Sequence, residues 1–116
     1  MFEMHGRTIR LSQGDTGVAS FLVEGVTLTA QDRGVFTLGR SGARLIQKAV
    51  VPEGNVLRVP FVNEETDGWQ PGLYEWDLRI VLEAKTDAQG RVVDGREVIT
   101  PWPPSRLEVV KVVGKV

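Results

Sequence analysis

The sequence predicts an all-β fold. It reads as one antiparallel β-sandwich domain over residues 1–116, with about seven to eight strands and little or no helix. Three observations carry this expectation. Apolar and polar residues alternate with period two in several segments, most cleanly after Pro71 and Gly72. Clusters of Gly, Asp, Asn and Pro separate these segments at intervals of about 8–12 residues. No window of about 12 residues repeats its apolar positions at helical spacing.

Composition bounds the rest. At 41% hydrophobic and 25% charged residues, the chain is near the globular average, which argues against wholesale disorder. There is no cysteine, so disulfides, thiolate metal sites and thiol nucleophiles are excluded. The net charge is −1, with Lys and Arg spread along the chain, so nucleic acid is not an expected partner. No apolar run reaches the length of a bilayer span, and no membrane role is expected. The opening "MFEMHGRTIR" has an early charge and no apolar core, so it does not read as a secretion signal.

Each element follows from its alternation. "RTIRL" puts Ile9 and Leu11 on one face. "GVASFLVEG" groups Ala19, Phe21 and Val23, and "GVFTLG" aligns Phe36 with Leu38. "RLIQKAVV" is β-prone without a clear buried face. "NVLRVPFV" aligns Leu57, Val59 and Phe61, and Pro60 within it marks an edge strand or a strand end. From Tyr74 onward, Tyr74, Trp76, Leu78, Ile80, Leu82 and Ala84 form one apolar face, opposed by Glu75, Asp77, Arg79, Val81, Glu83 and Lys85. "REVIT" and "RLEVVKVV" close the chain. In the last, Leu107 and Val109 share one phase and Val110 and Val112 the other, which predicts a bulge near Val109 or a strand buried on both faces. Turns are expected at 12–17, 32–34, 40–42, 52–55, 87–90 and 93–95. "NEETDGW" suits a single helical turn with Asn63 as its N-cap. "PWPPS" reads as an extended connection or a crossover between sheets.

Candidate chemistry is sparse. His5 is the only histidine and lies near the terminus, and Ser12, Ser20, Ser41 and Ser105 lack a nucleophile-elbow context. Glu75, Asp77 and Glu83 fall on a face where solvated charges are expected. Glu64, Glu65 and Asp67 form an acidic loop without EF-hand spacing. "GDTG" and "GRSG" lack the phosphate-loop pattern and do not lead into a helix. No catalytic, cofactor-binding or metal residue is expected, and no enzyme activity.

The aromatics carry more information. Trp76 belongs to the core phase of its strand. Tyr74 follows "PG" at the start of that strand, as the corner tyrosine of immunoglobulin-like sandwiches does. Pro71, Gly72, Tyr74, Trp76, Leu78 and Ile80 are therefore the expected fold-defining set. Trp69, in the preceding turn, is placed to cover the open end of the sandwich, and Trp102, between prolines, is expected to be exposed; both are candidate interaction or sugar-stacking residues. Phe2 and Met4 of "MFEMH", the Pro60 strand and the terminal "VVGKV" are further candidate contact segments.

The order of these features resembles the small immunoglobulin-like domains of tailed-phage virion proteins, in particular the N-terminal domain of baseplate upper proteins. The matching residues are Gly14, Asp15 and Thr16; Gln47 and Lys48; Thr66 and Asp67; and Pro71, Gly72, Tyr74, Trp76, Asp77 and Leu78. The resemblance implies a structural component of a phage or prophage particle. Such a component contacts other virion proteins or copies of itself, resides in the virion and passes through the bacterial host cytoplasm during assembly. Baseplate upper proteins continue into linker and receptor-binding regions, while this sequence stops at Val116, so a free-standing accessory protein is the other expectation. A carbohydrate- or host-receptor-binding sandwich using Trp69 and Trp102 is the alternative function.

Overall fold

A computed structural model describes residues 1–113 and is all-β. The strands are β1 (Phe2–His5), β2 (Thr8–Ser12), β3 (Gly17–Leu22), β4 (Arg33–Arg40), β5 (Ala43–Val50) and β6 (Val56–Phe61). After one helical turn, α1 (Asn63–Thr66), come β7 (Gly72–Leu82), β8 (Lys85–Thr86), β9 (Val92–Asp94), β10 (Glu97–Ile99) and β11 (Ser105–Val110). A seven-stranded sheet runs β1-β2-β11-β7-β4-β5, with β10 also on β7. A two-stranded sheet, β3-β6, forms the second layer, and β8-β9 is a separate small hairpin.

The layers meet through the residues that alternation selects. Ile9, Leu11, Phe36, Leu38, Trp76, Leu78, Ile80 and Leu107 of the large sheet are buried with Ala19, Phe21, Leu57, Val59 and Phe61 of the small one. Burial of this apolar surface is the main force holding the layers together. Phe36 links both sheets, with its ring centroid 5.5 Å from Trp76 and 5.6 Å from Phe61. Gly34 allows a close approach, since a Cβ there would lie 2.7 Å from Leu57 Cδ1.

Several expectations are refined. Among the described residues there are eleven strands rather than seven or eight, because short edge pieces and the β8-β9 hairpin add to the central ones. One pairing is parallel: β11 aligns with β2 through Leu107–Ile9 and Val109–Leu11, while it is antiparallel to β7. The phase slip after Val109 is neither a bulge nor burial on both faces. The strand ends at Val110, and Val113 is fully solvated. "PWPPS" is not a crossover. β10 and β11 lie on the same edge of β7, and the six-residue step from Ile99 to Ser105 spans the four-residue step from Ile80 to Trp76. The prolines loop out the surplus, since they cannot donate to the ladder.

β7 stops at Leu82, short of Ala84, because Glu83 takes a positive φ of 50°. Val81 is buried as well, under Gly95, which breaks the strict alternation at that end. Arg33 and Gly34 belong to β4 rather than to a turn, and Val93 and Asp94 to β9. Ser41 and Gly42, at φ 54° and 80°, form the two-residue turn joining β4 to β5. The cap of α1 is Val62, one residue before Asn63. The Glu65 carboxylate reaches back to the Val62 N–H at 3.4 Å.

Candidate functional site

The start of β7 is held by a set of hydrogen bonds centred on Tyr74 and Arg40. Tyr74 is 4% exposed, and its hydroxyl donates to the Gln70 carbonyl at 2.6 Å. Arg40, at the end of β4, donates to the Tyr74 hydroxyl at 3.2 Å, to Gln70 O at 3.4 Å and to Pro71 O at 3.3 Å. Its guanidinium carbon lies 4.8 Å from the centre of the Tyr74 ring. Gly72 has a φ of 138°, and a Cβ there would meet Arg40 Nη2 at 2.6 Å. Glycine is thus required by the backbone conformation, and its missing Cβ leaves room for the guanidinium. Pro71 supplies a carbonyl to Arg40, and Trp76, Leu78 and Ile80 continue inward from this corner. The sequence reading missed Arg40. Its only signal was a cation at the end of a strand.

Trp69 does not lie at the surface as an interaction residue would. Trp69 is 5% exposed and packs with ring centroids 6.0 Å from Phe61 and 6.4 Å from Tyr74. The turn α1 causes this. Thr66, fully buried, donates to the Asp15 carbonyl at 2.8 Å, Asn63 donates to Gly14 O at 2.8 Å, and Gln13 donates to Trp69 O at 3.0 Å. These bonds draw the segment over the end of the sandwich and fold the indole inward. Trp102 is part-buried and lies 5.7 Å from the Phe21 ring, so it is not a free stacking platform either. Phe2 and Met4 are part-buried against the core, with Phe2 5.5 Å from Phe61. They add to the domain's own packing. Of "VVGKV", Val112 and Val113 follow β11 outside any strand, and residues 114–116 lie outside the described residues.

The outward face of the large sheet holds a shallow cavity of about 580 Å³. Gly39 opposite Glu75 leaves the space, and Arg44, Leu73, Asp77 and Arg106 line it. Glu75 and Asp77 are two positions apart on one strand face, roughly 6–7 Å along the chain. Arg44 donates to Gln47 Oε1 at 3.4 Å, so one wall is tied to β5. His5 is well exposed and faces the Glu3 carboxylate at 3.6 Å.

Two buried or part-buried aspartates act structurally. For Asp32, burial alone would raise the pKa. N–H donors from Glu83 at 3.0 Å and Thr29 at 2.7 Å, the Thr29 hydroxyl and the Arg96 charge outweigh it and hold the carboxyl below its usual range. For Asp15, burial again opposes, while the N-terminal ammonium and the Ser12 N–H lower the pKa.

Strand edges differ in character. The β6 edge carries Pro60, which has no N–H and whose carbonyl accepts from Lys48 Nζ at 2.6 Å; Val56 exchanges bonds with Glu53. The β5 edge carries Arg44 and Lys48, and the short β1 edge carries Glu3 and His5. β3 has β6 on one side and, among the described residues, no strand on the other. Its segment GVASFL holds no charge, and Val18 and Leu22 are 50% and 59% exposed. Comparison with protein-family models, curated proteins and solved structures gives no match for this chain.

Proposed function

We propose that this domain is a non-enzymatic structural component of a bacteriophage or prophage particle, a tail or baseplate accessory that works through protein–protein contacts. The observation that carries the reading is the strand order. β5-β4-β7-β11 facing β3-β6 follows the C′-C-F-G and B-E order of variable-type immunoglobulin sandwiches. The Tyr74–Gln70 bond sits where the corner tyrosine of that fold would be. Both features favour the immunoglobulin-like domains that the sequence resembles. The partners under this reading are other virion proteins and copies of the chain itself, with assembly in the host cytoplasm. A rigid sandwich with one undefended strand edge suits that work.

The test is quantitative mass spectrometry and antibody labelling of purified particles from the host that encodes the chain. Stoichiometric recovery in particles, with labelling at a fixed position, is expected. Its absence from every particle fraction while the protein is abundant in the host lysate overturns the reading.

A further inference from the structure

We propose that β3 pairs with β3 of a second copy, joining two small sheets into one four-stranded layer ordered β6-β3-β3-β6. The inference deepens the assembly reading above by naming its surface.

The backbone decides which groups are available. Beyond Leu22, the ladder to β6 continues with the Val23 N–H donating to Asn55 O at 2.9 Å. Hydrogen-bonded pairs alternate along an antiparallel ladder. Bonding to β6 therefore runs through Gly17, Ala19 and Phe21, opposite Phe61, Val59 and Leu57. Pro60, opposite Val18, has no N–H and fits the unbonded positions. Val18, Ser20 and Leu22 accordingly direct their N–H and C=O groups to the side where β3 has no neighbour. The same three side chains are exposed.

The occupant follows from self-complementarity. With a two-fold axis at Ser20, Val18 lies opposite Leu22 of the second copy and Ser20 opposite Ser20. Each of these pairs would exchange two bonds, about six in all. The two apolar side chains meet each other, and the hydroxyls meet at the axis. Just beyond, Glu24 lies opposite Thr16, so no like charges face each other. A slip of two residues would place Glu24 opposite Val18 and lose the match. With a net charge of −1, two copies repel little at long range. The β1, β5 and β6 edges are defended by acidic groups, lysine or proline, and β3 is not.

Sedimentation equilibrium across micromolar to high-micromolar concentration tests this. A mass rising to twice 12.8 kDa is expected. Ser20→Pro removes an outward N–H without touching the β6 ladder, and Leu22→Lys places a charge at the pairing face. Both should return the monomer with unchanged circular dichroism, and the second serves if the first fails to fold. Because the chain has no cysteine, Ser20→Cys gives a single thiol. A short bis-maleimide should link it into dimers, and Ser41→Cys, on the β4–β5 turn, should stay monomeric. A monomer at every concentration, or a dimer that survives both edge substitutions, overturns the proposal. Particle recovery is scored separately, so a monomer found in particles overturns self-pairing and leaves the particle reading standing.

Discussion

Trp76 offers the sharpest test of how the two layers are held. Its side chain is 1% exposed. The ring lies 5.5 Å from Phe36 with planes 23° apart, and 5.2 Å from Phe21. Its N–H donates to both the Arg7 and Arg106 carbonyls, at 3.2 and 3.1 Å, joining β11 to the turn between β1 and β2. Trp76→Ala removes the ring and leaves a cavity between the sheets, beside Phe21 and Phe36. A loss of about 3–5 kcal/mol is expected. Trp76→Phe keeps most of the ring contact but removes the donor, leaving two carbonyls without it. That should cost about 1–3 kcal/mol. Glu75→Ala, one residue earlier and exposed, should stay within about 0.5 kcal/mol. Urea unfolding followed by far-ultraviolet circular dichroism avoids the fluorophore being changed. Equal losses for Trp76→Ala and Glu75→Ala would refute the assigned faces. A Trp76→Phe loss as large as that of Trp76→Ala would refute the division between ring and donor.

Three further outcomes are expected. Gly72→Ala should cost about 1–3 kcal/mol, and most of that loss should persist in an Arg40→Ala background, because the φ of 138° remains after the guanidinium is gone; a urea-unfolding double-mutant cycle measures it. Asp32 has a folded pKa below its unfolded value, so its contribution is fully present above the unfolded carboxylate range near about 4 and is lost as pH falls through the folded pKa. Asp32→Asn should therefore flatten the acid limb of the stability curve, read by urea midpoints at successive pH values. Asn55 accepts from the Leu28 N–H at 3.0 Å and donates to Val23 O at 2.7 Å and Val26 O at 2.5 Å; Asn55→Ala should lower stability by about 1–3 kcal/mol and speed hydrogen exchange at Leu28.

Local pattern made much of the core legible. The buried phases of β2, β3, β4, β6 and β7 follow directly from alternation, because each has one face on the core. β5 was ambiguous because it is an edge strand with no fully buried residue, so neither phase is fully selected. The parallel pairing of β2 with β11 could not be read locally, since its register depends on residues far apart in the chain. Trp69 stayed open between covering the sandwich end and contacting a partner, because its burial is decided by three side-chain bonds from α1 and the β2–β3 turn, none of which leaves a periodic signal. The undefended β3 edge was equally hidden. Alternation shows which face a side chain takes, and not which strand lies alongside.

The parallel pairing also fixes the order in which the domain can be completed during synthesis. β1 and β2 leave the ribosome first, yet β2's other neighbour in the sheet is β11, and Arg10 waits 98 positions for Glu108. Until then the first hairpin has no sheet to join, and Ile9 and Leu11 have no β11 beside them. Closure of such a distant pair is entropically costly, which slows folding. The β3–β6 pair and the β4–β5–β7 part of the large sheet can form before that, so the β1–β2 hairpin joins the sheet only once β11 is in place.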